Sequence, residues 1–319
     1  MGTSIDRRPG RRLTSVAVAA LAAMLAFAAL GGDAEAKKKK KKKKPINPGS
    51  TVTSVLTMGS STSVAGAASC PGKTHATGGG FAVAPTFSPP STGLRTLNST
   101  SNPSGTQGWA TGGSAYASPI AAGQFTTFAR CERNTAGRIS IRASSSLTLA
   151  PGAGQNLVFD CPSSSHAISG GYAAPSLAAF STAFSSHRIV VVQSRRTGPG
   201  QWTISAYNNP NSPASANLTG YAVCELNAKG SAVTEAASSL APVIDDGRTA
   251  ADATCTGKTH SVSGGFLVSH AFPGAVPLVS VDESHPVGKG GWHTGLWEFP
   301  QVILPASTSL QTFVYCKKG

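Results

Sequence analysis

The 319-residue chain carries a formal charge of +14, but a run of eight lysines supplies +8 and the segment before it +1, leaving only +5 on residues 45–319. The basicity therefore belongs to a tail, and a nucleic-acid-binding surface on the folded part is excluded as its explanation. Beyond the N-terminal segment no stretch keeps helical spacing over three turns, which excludes a helical bundle as well.

In chain order, a targeting segment comes first. Arg7, Arg8, Arg11 and Arg12 precede an apolar run from Val16 to Leu30, and the small-residue site Ala34-Glu35-Ala36 follows. That three-part order predicts a signal peptide over residues 1–36, exported by the Sec route and cleaved after Ala36, so that the mature chain is secreted. The apolar run is about 15 residues, against the roughly 20 that cross a bilayer, so no transmembrane segment is expected in the mature chain. Residues 37–49 read as a disordered polylysine linker, because Lys37, Lys38, Lys39, Lys40, Lys41, Lys42, Lys43 and Lys44 repel one another and bury nothing. Two readings of this arm stand side by side. It is a solvated spacer, or it adheres to an anionic envelope polymer or lipid surface, where each lysine contributes about 1 kcal/mol.

The rest of the chain repeats itself. "CPGKTHATGGGF" begins at Cys70, "CPSSSHAISGGY" at Cys161 and "CTGKTHSVSGGF" at Cys255, at spacings of 91 and 94 residues. A tryptophan follows a glycine-rich turn in each copy (Trp109, Trp202, Trp292), and an aromatic stands three residues before each closing cysteine (Phe128, Tyr221, Phe313). About 90 residues is too long for a propeller blade and suits a small domain. The expected modules are 50–137, 138–230 and 231–319.

Short runs such as "RISIR", "SLTL", "RIVVVQS" and "QWTISAYN" are rich in β-branched and aromatic residues and broken by Gly, Pro, Asn and Ser. In "QWTISA" Trp202, Ile204 and Ala206 share one face and Thr203 and Ser205 the other, as a half-buried strand requires. The Ala-rich pieces "SLAAFSTAF" and "TEAASSLAPVI" are the helix candidates. The expected fold is all-β, three tandem small β-sandwich-like modules of six to eight strands each, the lead before each opening cysteine supplying the first strand or two.

Six cysteines in an exported chain allow fifteen sets of three disulfides. The repeat narrows them to pairing within each unit: Cys70–Cys131, Cys161–Cys224 and Cys255–Cys316. Closing a loop of about 60 residues stabilises a module by about 4 kcal/mol on the chain-entropy account. Cysteines so far apart, with no C-x-x-C partner, give no zinc spacing.

The repeated string admits three meanings. A phosphate loop fails, because the glycine required five positions before "GKT" is Ala67 in one copy and Asp252 in another, and the second copy has lost the motif. A metal site would need His75, His166 and His260 to converge from three modules. His270, His285 and His293 enrich the third copy in histidine, but they are read as lacking a local carboxylate or an i,i+4 pattern. No metal and no cofactor are therefore assigned. A structural meaning remains: a proline-fixed turn, a β-branched residue at Thr77, Ile168 and Val262, then paired glycines that admit a close neighbour. The tryptophans read as core or rim, with a sugar-stacking platform at Trp109, Trp202 and Trp292 as the functional alternative.

The string resembles the C-P-x-G-x-x-x-x-G-G-G-[FY] … W … [FY]-x-x-C modules of exported, mostly uncharacterised bacterial proteins. The likeness covers residues 50–319, departing from the pattern at Thr256, Ser169 and Ser263. It implies an extracellular β-rich module and no activity. Residues 45–319 hold ten carboxylates, none recurring across the copies except Glu132 and Glu225, and there is no G-x-S-x-G or H-E-x-x-H. The expected function is thus non-catalytic: a surface-associated binding or structural protein. A carbohydrate- or cell-wall-polymer-binding module is the first alternative, its glycan or protein ligand open, and a secreted hydrolase with an unrecognised site the second.

Overall fold

The computed structural model describes residues 49–58, 63–84, 95–116, 123–133, 139–143, 146–174, 189–210, 212–226, 233–244, 247–269, 279–298 and 308–318. The signal, the lysine run and the helix candidate "SLAAFSTAF" lie outside them. Residues 46–319 form one compact unit, and among the described residues no helix is long and apolar enough to cross a membrane.

The protein is all-β. The first repeat supplies β1 (Ser50–Met58), β2 (Ser63–Ser69), β3 (Thr74–Ala84), β4 (Arg95–Ser104), β5 (Gly108–Tyr116) and β6 (Gly123–Arg133). The second supplies β7 (Ile139–Ala143), β8 (Leu147–Leu149), β9 (Gly154–Asp160), β10 (Ser165–Ala173), β11 (Ile189–Gly198), β12 (Gln201–Asn208) and β13 (Ala216–Leu226). The third supplies β14 (Thr234–Ala237), β15 (Ala241–Pro242), β16 (Arg248–Thr254), β17 (Thr259–Ser269), β18 (Val279–Val287), β19 (Gly291–Glu298) and β20 (Ser309–Lys318). The second helix candidate, "TEAASSLAPVI", is extended instead. Its two halves pair with β20, and Pro242 would deny a helix its backbone donor.

Each repeat is a two-layer sandwich, with one layer ordered β1-β6-β3 in the first repeat and the other β2-β5-β4. The layers do not end at the repeat boundary. The first sheet runs β1-β6-β3-β18-β19-β16, joining the first repeat to the third. The second runs β2-β5-β4-β10-β13-β7, joining the first to the second, and the last runs β14-β20-β17-β11-β12-β9, joining the second to the third. The three sandwiches thus close into a ring with pseudo-threefold symmetry, every sheet shared by two repeats. β6 and β13, equivalent strands of different repeats, have the same pattern of buried and exposed positions along their whole length.

The disulfides Cys70–Cys131, Cys161–Cys224 and Cys255–Cys316 stay inside their repeats, with Cα atoms 5.6, 5.7 and 5.7 Å apart. In each case the closing cysteine lies on the middle strand of one layer and the opening cysteine just past the edge strand of the other. The bridge therefore holds the two layers of one sandwich together.

The repeated string builds the centre of the ring. A bulge falls at Thr77, Ile168 and Val262, where β3, β10 and β17 each carry one more residue than the strand beside them. All three residues are buried. Thr77 donates its hydroxyl to the Val262 carbonyl at 2.8 Å, and Ser263 donates to the Ile168 carbonyl, so the bulges of different repeats meet.

The paired glycines that follow have divided roles. A Cβ on Gly79, Gly170 or Gly264 would lie 2.2, 2.3 or 2.1 Å from the tryptophan of the same repeat. On Gly80, Gly171 or Gly265 it would lie 1.7, 2.0 or 2.4 Å from the carbonyl of Ser284, Ser101 or Ser194 of the neighbouring repeat. The first glycine seats the ring of its own repeat, and the second lets the next repeat's strand close the sheet. A cavity of about 20 Å³, room for about one water, remains between Gly79, Gly170, Gly171, Gly264 and Gly265 and the three serines.

Arg130 adds a polar staple. Buried on β6, it donates to the Ser261 carbonyl at 2.7 Å, to the Gly288 carbonyl at 3.1 Å and to the Lys289 carbonyl, all in the third repeat. Burial lowers its pKa to about 10, partly offset by Glu132.

Candidate functional site

The three tryptophans considered as a sugar platform are 1%, 0% and 1% exposed, so their faces are not open for stacking. Each indole N–H is bound inside the sandwich: Trp109 donates to Ser101 Oγ at 3.0 Å, Trp202 to Ser194 at 3.2 Å and Trp292 to Ser284 at 3.0 Å. The same serines offer their carbonyls to the glycines of the next repeat. The tryptophans therefore brace the ring, the buried indole satisfied as a polar group of the core must be.

Two of the repeated histidines reach one shared network, because the three repeats close on a common centre. His75, His166 and His260 stand at or next to the first residue of β3, β10 and β17, and His75 lies across from Glu132 in register. His260 Nε2 binds Glu132, and His166 Nε2 lies 3.4 Å from Glu225. Lys317 joins both carboxylates, at 3.3 Å to Glu132 and 2.6 Å to Glu225. Burial would raise the Glu225 carboxyl, but His166 and Lys317 hold it below the usual range. Burial would lower Lys317, yet Glu225 and Glu132 keep it above its ordinary value. These five side chains, all buried except the half-buried Lys317, form one charge network across all three repeats, with each carboxylate engaged by Lys317. It is a structural clasp rather than a set of free ligands.

A second cluster lies outside the repeated positions. β18 and β19 form a hairpin through the turn at Gly288-Lys289-Gly290, with Gly288 at φ +56°, and its register sets His285 directly across from His293. On the other side of β19, His293 lies across from Asp252 of β16. Glu283 precedes His285 by two residues and so shares its face of the strand. Glu283, His285 and His293 bring one ligand atom each within 4.8 Å of one another. His293 Nε2 is 3.3 Å and His285 Nε2 3.5 Å from the same oxygen, Glu283 Oε2.

The remaining atoms of this group are held from outside. Asp252 Oδ1 lies 2.8 Å from His293 Nδ1, and the Pro286 carbonyl 3.2 Å from His285 Nδ1. Arg248 binds the other oxygen, Glu283 Oε1, at 2.5 Å. The Phe128 ring of β6 stacks on His285 with centroids 4.8 Å apart, reaching over Gly80, which has no side chain to stand in between.

Burial would raise the Glu283 carboxyl, but the facing His285 and His293, with Arg248, bring it down to about 2. Its neighbour Asp282 is pushed up to about 6 by burial, against the pull of Arg248. His293 is raised by Glu283, burial opposing and Asp252 adding to the rise.

Here the structure corrects the reading that the third copy lacks a local carboxylate, since Glu283 is that carboxylate. The signal was present as Glu-x-His on a strand, with a glycine-rich hairpin turn setting a second histidine opposite the first. His270 lies outside the described residues. The group belongs to the third repeat alone. The equivalent positions are Thr100, Asn102 and Ala110 in the first repeat, and Gln193, Arg195 and Thr203 in the second. Arg195 in turn packs over Phe313, 5.0 Å from its centroid, as His285 packs on Phe128.

No protein-family model matches the chain, and comparison with curated proteins finds no match.

Proposed function

We propose that the protein is an exported, non-catalytic scaffold that associates with the cell envelope, its ring of sandwiches serving as a rigid body and its polylysine arm as the attachment. The closure of the three repeats into one ring carries this reading. The Gly-Gly pairs, the tryptophans, the bulges and the disulfides are the positions the chain repeats, and each of them is used in packing or in joining repeats. A binding module made multivalent by repetition would instead repeat an exposed set of side chains. The signal sequence and the disulfides agree with an oxidising compartment. The lysine arm supplies +8, more than the +5 spread over residues 45–319, so attraction to an anionic surface concentrates at one end of the chain.

A glycan- or wall-polymer-binding role would have to use residues other than the three tryptophans. A hydrolase would have to use residues that the repeats do not share.

The deciding experiment compares cells expressing the full chain with cells expressing a chain lacking residues 37–44. The envelope-bound fraction should fall to the soluble fraction on deletion, and the intact protein should be released by high salt, which screens surface charge beyond about 10 Å at 0.1 M. Equal envelope association of both chains in low and high salt would overturn the proposal.

A further inference from the structure

The geometry points to a divalent transition-metal site of the zinc type on the first sheet, with Glu283, His285 and His293 as its three ligands. Such ions take imidazole nitrogen and carboxylate oxygen, and two histidines with one glutamate are a known three-ligand set that leaves a fourth position for water or another ligand. The spacing fits. Ligands about 2.0–2.1 Å from a tetrahedral ion lie about 3.3–3.4 Å from one another, and the separations from Glu283 Oε2 to His293 Nε2 and to His285 Nε2 are 3.3 and 3.5 Å.

The tautomers fit too. Nδ1 of each ring faces an acceptor, Asp252 for His293 and the Pro286 carbonyl for His285, so the neutral ring carries its proton on Nδ1 and keeps the lone pair of Nε2 on the Glu283 side. A carboxylate behind a metal-ligating histidine is the usual outer partner of such a site, fixing ring orientation and basicity. Arg248 on Oε1 and Phe128 on His285 restrain the other two ligands.

The rival reading is an ion-pair network with no ion at its centre. Charge-assisted N–H···O bonds close to about 2.7–2.9 Å, and Arg248 on Oε1 does close to 2.5 Å. The two histidines stand 3.3 and 3.5 Å from one oxygen, longer than such a bond at its closest and matching the ligand spacing of a tetrahedral ion. The set is confined to one repeat, whereas the Trp–Ser bonds that brace each sandwich recur in all three.

The test uses the oxidised full chain, stripped with a chelator and titrated with Zn²⁺ by calorimetry, and with Co²⁺ for its visible absorption. Binding should saturate at one ion per chain, with the intense visible bands of tetrahedral Co²⁺. Mg²⁺ and Ca²⁺ should not compete. The variants Glu283→Gln, His285→Gln and His293→Gln should lose the saturable binding while keeping the parent's near-ultraviolet circular dichroism. Asp252→Asn, which leaves all three ligands, should weaken affinity by about 10- to 100-fold. Absence of saturable binding by the folded parent, or undiminished binding by the folded His285→Gln/His293→Gln double variant, would overturn the site. If any single variant fails to fold, Asp252→Asn, whose carboxylate is exposed, carries the test. Unchanged affinity there would count against the second histidine as a ligand.

Discussion

Gly80 of the first repeat lies so close to Ser284 of the third that a Cβ on it would stand 1.7 Å from the serine carbonyl oxygen. Backbone occupies the space, so no rotamer change can relieve the clash, and the same holds for Gly171 against Ser101 and Gly265 against Ser194. Gly80→Ala, Gly171→Ala and Gly265→Ala should each force the seam open and destabilise the protein by about 3 kcal/mol, at the upper end of ordinary overpacking. In contrast Gly72→Ala, in an open turn with φ +64° and nothing within 4 Å of its Cβ position, should cost about 1 kcal/mol from backbone strain alone. Thermal melts of the four variants make the comparison. Equal small shifts for all would mean that the seams are not packed as described.

Because every sheet is completed by a neighbour, a single repeat has no finished edge. Residues 50–137 alone would expose β3 and β4 along the strands that now pair with β18 and β10, together with the buried residues beneath them. The isolated repeat should therefore be unfolded or self-associated, a trimer being the assembly that restores three seams. Size-exclusion chromatography with light scattering checks this. A stable, monodisperse monomer with native-like circular dichroism would contradict the shared-sheet architecture.

Much of this was legible from residue spacing. Alternation in "QWTISA" gave the buried face of β12, and matched cysteines gave the in-repeat disulfides. Alternation tells which face of a strand is buried, not which strand lies beside it. The partner of Thr77 is Val262, 185 residues away, and no local pattern encodes that choice. For the same reason Gly-Gly could be read as admitting a close neighbour, but not as admitting two, one ring and one strand. The Glu283 cluster was missed because it depends on hairpin register. Histidines eight positions apart show no periodic relation until a turn places them opposite each other. "TEAASSLAPVI" failed as a helix because pairing with β20 outweighs the mild helix preference of its alanines.

The indoles offer a spectroscopic check. Trp109, Trp202, Trp292 and Trp297 are all buried, none more than 4% exposed. Native emission should be blue-shifted and scarcely quenched by iodide, both changing on unfolding. Trp202→Phe keeps most of the ring but leaves Ser194 without its donor, which should cost about 1 kcal/mol for the hydrogen bond plus a smaller packing loss. Trp202→Ala should cost about 3–5 kcal/mol. Strong iodide quenching in the folded protein would place at least one indole at the surface.

The charge clasp at the histidine end predicts a definite pH profile. Glu225 is held below its ordinary value, so its contribution is present above that pH and fades as pH falls through the lowered folded value. Lys317 is held above 10.5, so its contribution is present below that pH and fades as pH rises through the raised folded value. Between those limits the clasp should stabilise the ring at a constant level. Lys317→Met leaves Glu132 and Glu225 buried without their shared cation, and should cost about 3 kcal/mol at pH 7, the lower end for breaking a buried pair. As the medium is made acid enough to neutralise Glu225, its stranded charge disappears, and the gap between parent and variant should narrow toward pH 3. Melting temperatures of both proteins across pH 3 to 10 decide the matter. A gap that stays the same at every pH would show that Lys317 acts through its aliphatic stem, and that the charges of Glu132 and Glu225 do not hold the ring together.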